Sequence, residues 1–138
     1  MTRIFDALNA RLIAASPGAA VTSTLVAWPN RTFAPPTSTW YRVTWMPGIP
    51  QAAAVGSTAQ NRHVGIYQVD VFAPGNKGAK AANDAAKVII AAYKRGTTLT
   101  SAGATVYCDN AYMLTGVQED TGLYHLPVRI HYRADLDN

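Results

Sequence analysis

The pattern that most narrows the fold lies between His63 and Arg95. His63-Val-Gly-Ile-Tyr-Gln-Val-Asp-Val-Phe alternates, passes through Ala-Pro-Gly-Asn-Lys-Gly, and runs on into the alanine-rich Ala79–Arg95. This reads as a long strand, a glycine-rich turn and an amphipathic helix. Tyr67, Val69 and Val71 share one strand face, while Ile66 and Phe72 lie opposite with Gln68 and Asp70 between them. Apolar residues on both faces predict an interior strand covered partly on both sides. In the helix, Ala82, Ala85, Ala86, Ile89 and Tyr93 form a stripe narrow enough to sit close on a sheet. Lys80, Asp84, Lys87 and Lys94 take the other side, with Lys80–Asp84 and Asp84–Lys87 at pairing distance. Asn76 is expected to cap this helix and Gly96 to close it at C′.

The flanking segments predict a sheet with helices. Ile4, Phe5, Leu8 and Leu12 recur at helical spacing over residues 4–15, before Ser16-Pro17-Gly18 ends the run. Val21–Trp28 is a first strand or an extended arm, and Asn30–Thr39 has loop composition. Trp40–Met46 alternates, with Tyr41, Val43 and Trp45 on one side and Arg42 and Thr44 on the other. Residues 48–62 show no periodicity and are expected to form a long loop, a length that tends to be functional or disordered. Strands are expected at Ala104–Cys108, Ala111–Gln118 and Tyr124–Arg133, joined by turns at Asp109-Asn110 and Asp120-Thr121-Gly122. In the last strand Tyr124, Leu126, Val128, Ile130 and Tyr132 face in, while His125, Pro127, Arg129, His131 and Arg133 face out. Pro127 has no backbone donor and argues for an edge or a bulge. The acidic tail 134–138 is expected to fray. The fold class expected is α+β, a mostly antiparallel sheet with helices packed on one face, in a single domain over residues 1–138.

Composition excludes several function classes. A chain of 138 residues buries roughly 68% of its unfolded surface and holds a core unaided. No apolar run reaches membrane-spanning length, and Asp6, Asn9 and Arg11 interrupt any signal-peptide core. The single cysteine, Cys108, excludes an intramolecular disulfide and suits a reducing cytoplasm. Residues 1–100 carry ten Lys/Arg against three Asp/Glu, and residues 101–138 carry two against five. Such a split suits head-to-tail self-association, although ordinary surface variation also produces it.

No constellation in the chain supports catalysis. Pro74-Gly-Asn-Lys-Gly-Ala-Lys80 has the wrong spacing for a phosphate loop and no Ser or Thr after Lys80. Cys108 reads as a small buried hydrophobe, with His125 or His131 the only conceivable bases. The histidines lack ligand spacing, so no metal or cofactor site is expected. Glu119-Asp120 reads as a solvated pair in a turn. Asp70 is expected to need an ion-pair partner, with Arg42 or Arg129 in reach on neighbouring strands. The stripe His125, Arg129, His131, Arg133 is either an ordinary solvent face or a basic surface for DNA or an acidic partner. With Arg42, Arg62, Lys77 and Lys80 it makes the candidate interaction surface.

Four stretches together resemble the small tail terminator, or tail completion, proteins of long-tailed phages. These are the N-terminal helix Ile4–Ala15, the Trp/Tyr strand ending in Pro47-Gly48, the unit from Gly65 through Gly75-Asn-Lys-Gly78 to Gly96, and the closing Gly122–Arg133. The resemblance implies a structural virion protein that sits as a hexameric ring on the head-proximal end of the tail tube. There it stops tube polymerisation and offers the surface that joins the head. Implied partners are further copies of the chain, the tube protein and a head–tail connector protein, with DNA only passing through the lumen. The implied location is the virion tail, assembled in the host cytoplasm. Another head–tail joining or tube-like protein stays open beside it, as does a small enzyme or ligand-binding domain with a site built from loops.

Overall fold

The computed structural model describes residues 2–15, 25–57 and 59–137. Eight strands form one sheet in the order β1-β2-β4-β8-β6-β5, with β3 on β4 and β7 on β8. The strands are β1 (Val26–Ala27), β2 (Trp40–Pro47), β3 (Gln51–Ala52), β4 (Gln60–Pro74), β5 (Thr98–Ser101), β6 (Ala104–Met113), β7 (Val117–Gln118) and β8 (Leu123–Asp137). Among the described residues the helices are α1 (Thr2–Ala14) and α2 (Lys80–Ala92). Every pairing is antiparallel except the short parallel contact of β1 with β2. This is the α+β fold the patterning predicts.

Alternation decides which side carries the core. Tyr41 and Val43 of β2, Tyr67, Val69 and Val71 of β4, and Leu126, Val128, Ile130 and Tyr132 of β8 all point to one face. Ile4, Leu8 and Leu12 of α1 and the alanine stripe of α2 close over them. Two tyrosines tie the helices down: Tyr67 Oη donates to Asn9 Oδ1 at 2.7 Å, and Tyr93 Oη donates to the Leu8 carbonyl at 2.5 Å. Burial raises both phenols well above the ordinary tyrosine value. β4 is the interior strand expected, flanked by β2 and β8 along most of its length.

Several expectations need correction. Asn76 does not cap α2. The cap position is Ala79, without a side-chain bond, and Asn76 sits at φ +62 with Oδ1 accepting from Gln118 Nε2 at 3.2 Å. Three residues before the helix, it is too far back to reach the first free amides. Gly96 is left-handed at φ +89, but α2 has already ended, and its N–H donates to the Cys108 carbonyl at 3.0 Å. It steers the chain into β5, a strand the patterning missed.

Residues 48–62 are not a structureless loop. β3 pairs with the start of β4 through Gln51↔Arg62 and Ala52↔Asn61, which makes a hairpin arm. Asp109-Asn110 is not a turn either: β6 runs through it, with a register shift between Cys108 and Asn110. The expected strand 111–118 therefore divides into the end of β6 and the separate β7.

The C-terminal residues 134–137 continue β8, with Ala134 and Leu136 buried. Pro127 lies in an interior strand, opposite Asp70. Its carbonyl accepts from Leu114 N–H at 2.9 Å, where β6 ends at Met113↔Val128 and β7 begins at Val117↔His125. The missing donor thus falls in a gap in the neighbouring ladder, where no partner strand needs it. The suggestion that residues 21–28 form a first strand holds only for Val26–Ala27, since residues 16–24 lie outside the described residues.

Candidate functional site

The face of the sheet away from the helices collects the charged residues. In β4 this places Gln68 and Asp70 beside Phe72, with Thr44, Arg42 and Trp40 opposite on β2 and Arg129, Pro127 and His125 opposite on β8. Asp70 is the centre. It is 1% exposed, the one charged residue that is buried among those described. Its Oδ2 accepts from Arg42 Nε at 3.2 Å and Nη2 at 3.1 Å. Its Oδ1 accepts from Gln68 Nε2 and lies against His125 Nε2, both at 2.8 Å.

His125 continues the chain of contacts outward. Its Nδ1 lies 2.9 Å from Glu119 Oε1 in the β7–β8 turn. Each ring nitrogen therefore faces a carboxylate oxygen. The contacts run in series from Glu119 through His125 and Asp70 to Arg42. A buried carboxylate persists only when it is paired and hydrogen-bonded, and here four donor contacts supply that. The expectation that Asp70 needs a partner is met by Arg42. Arg129 instead donates from Nε to Gln68 Oε1 at 2.9 Å, and so orients the amide that serves Asp70.

Aromatic rings brace the same face. Phe72 lies between Trp40, at 4.3 Å and 14°, and His125, at 4.5 Å and 11°, with Phe33 tilted against Trp40. The Arg42 guanidinium stands 5.0 Å over the Phe72 ring, so one arginine serves both the ion pair and the stack. Further along, Tyr112 Oη meets His131 Nε2 at 2.9 Å with the rings stacked. Arg133 donates to Asp109 Oδ1 at 3.1 Å and covers the Tyr107 ring. Arg62 makes a two-pronged pair with Asp135 at 2.9 and 3.0 Å, which holds the Asp135 carboxyl below its usual range.

The eight candidate interaction residues are thus not one surface. Arg42, Arg62, His125, Arg129, His131 and Arg133 share the outer face, whereas Lys77 is exposed in the β4–α2 turn. Lys80 is on α2, bonded to Asp84 at 2.6 Å as its i,i+4 spacing predicts. Most of these cations already face a carboxylate of the same chain. Glu119, read from sequence as solvated, is a partner of His125. Its position in a two-residue-strand hairpin gave no periodic signal that could have revealed this.

As chemistry, the arrangement fixes side chains rather than freeing one to react. Asp70 is sealed, and the Cys108 thiol, buried in the core, is pushed up to about 11 by desolvation. A thiol protonated at neutral pH is a poor nucleophile. Among the described residues no group of three or more His, Cys, Asp or Glu is placed to hold a metal ion. Among the described residues no helix is long and apolar enough to cross a membrane.

The profile of phage tail terminator proteins matches residues 3–132, almost the whole chain. The chain belongs to the phage tail terminator family. Family membership makes it a structural component of a phage tail. A solved structure with 24% sequence identity superposes with a TM-score of 0.69 and covers 94% of both chains, which shows the shared fold. No curated protein matches the chain. The outer-face network is, on this footing, part of the rigid sheet of a tail terminator family member.

Proposed function

We propose that the chain caps the head-proximal end of the tail tube, ends tube polymerisation and offers the surface to which the head is joined. It does so as a ring of identical copies, six in number by its likeness to the family. Its partners are its own copies, the tube protein and a connector protein, while DNA passes through the lumen. Assembly takes place in the host cytoplasm. The family match over residues 3–132 is the observation that carries this reading.

The physical features are compatible with it. A cap must keep its shape while other proteins bind both sides, and the outer face is braced by ion pairs and stacked rings around Asp70, Phe72 and Arg62. A lumen that passes DNA must not grip it, and cations paired within the chain release few counterions on meeting phosphate. Host cells infected with phage lacking this gene should produce tail tubes of uncontrolled length without heads. Tubes of normal length that carry heads would refute the assignment.

A further inference from the structure

On one side the edge strand β5 offers only the four residues Thr98–Ser101, and beyond it β6 carries a bulge and the charged Asp109. Short edges, bulges and charges discourage another strand from adding. At the β2 side, β1 pairs only with Tyr41 and Arg42 before the chain turns away at Pro29. Among the described residues nothing pairs with the outward edge of residues 43–47. Val43-Thr-Trp-Met46 holds no charge, and the one proline of the open run, Pro47, ends it.

Beside this open edge lies a groove of ≈ 510 Å³ lined by Phe5, Trp28, Val43 and Trp45, with Phe5 stacked on Trp45 at 5.0 Å. A free strand edge with an apolar groove alongside is what an added strand uses. The edge supplies backbone hydrogen bonds and the groove takes alternate side chains. The chain carries a segment of matching chemistry. Residues 48–59 contain no charged residue, and the arm at 49–55 exposes Ile49 at 84% and Val55 completely. These exposed aliphatic side chains, on an arm with no charge, match the apolar lining of the groove.

We propose that the arm Ile49–Val55 of one copy adds to the β2 edge of a second copy and seats its aliphatic side chains in the Phe5–Trp28–Trp45 groove. The proposal rests on the self-association proposed above and names the surfaces that perform it. Arm and groove are different surfaces of one chain, so the contact can repeat from copy to copy, as ring closure requires.

The test mixes Val55→Cys protein with Thr44→Cys protein, both sites being exposed and Cys108 remaining buried in the core. After mild oxidation, non-reducing electrophoresis should show the mixed disulfide in large excess over either symmetric one. Light scattering on the same untreated protein gives the assembly mass. Ile49→Asp with Val55→Asp should abolish the assembly while leaving the circular dichroism unchanged. An assembly that forms without the mixed cross-link overturns the arm-to-edge contact and leaves the ring reading standing. A monomer at all concentrations with no cross-link overturns both. A cross-link formed only with a tube or connector subunit assigns the groove to that partner and overturns self-docking.

Discussion

Asp70 Oδ1 and His125 Nε2 stand 2.8 Å apart on adjacent strands, and the other ring nitrogen of His125 stands 2.9 Å from Glu119. One imidazole thereby joins a sealed carboxylate in β4 to the turn between β7 and β8. The link is structural. It pins a hairpin tip to the middle of the sheet through two contacts to carboxylate oxygens.

Removal of the carboxylate should cost more than removal of any one donor. Asp70→Ala strands Arg42, Gln68 and His125 together, and a loss of about 3 kcal/mol is expected in chemical denaturation. Arg42→Ala leaves Asp70 with Gln68 and His125, and half of the arginine side chain is already in water. About 1–2 kcal/mol is expected there. Equal effects would contradict the central role given to Asp70.

The acid side of the stability profile should depend on Arg62. Its pairing lowers the folded Asp135 carboxyl below the unfolded value of 3.8. Such a group stabilises the fold above that value and loses its contribution as pH falls through the lower, folded one. Arg62→Gln should therefore flatten the loss of stability below about pH 4. Denaturation midpoints at several acidic pH values check this, and a profile identical to the parent chain would be the contrary result.

The alkaline side should depend on Cys108. Burial raises its thiol from 9.0 to about 11. The unfolded chain then loses its proton first, so this contribution is complete below pH 9 and disappears as pH climbs towards 11. Cys108→Ala should remove the part of the decline that begins near pH 9. In the native chain, a thiol reagent at pH 8 should react far more slowly than after denaturation. Equal rates would show that Cys108 is not sealed.

Gly65 is held small by its neighbours. A Cβ there would meet Tyr132 Oη at 2.5 Å and the Met46 carbonyl at 2.7 Å, and Tyr132 Oη accepts from Trp45 Nε1 at 2.7 Å. Gly65→Ala should destabilise by roughly 2–3 kcal/mol, as overpacking does. It should also shift the tryptophan fluorescence as the Trp45–Tyr132 bond opens. A variant with parent stability would mean that the strands shift apart without cost.

The parts of this fold legible in sequence are those with a strong period. β4, α2 and the inward face of β8 follow directly from Tyr67–Val69–Val71, the alanine stripe and Leu126–Val128–Ile130. That Asp70 needs a partner was legible because a charge between apolar strand positions requires one, but the choice of Arg42 over Arg129 was not. What escaped was local and irregular. Asp109-Asn110 has turn chemistry, yet β8 offers a partner on both sides of it and the ladder continues with one extra residue. Residues 134–137 look like a tail until Gln60–Arg62 is seen to extend beside them. Glu119 gained its role only because the β7–β8 turn brings it to His125, a contact set by tertiary geometry rather than by spacing along the chain.

The central claim, a cap at one end of the tail, is tested most directly by labelling the protein on isolated phage tails and viewing them by electron microscopy. The account predicts label at the head-proximal end alone, on every complete tail. Label along the tube, at the distal end, or on no tails at all would contradict it.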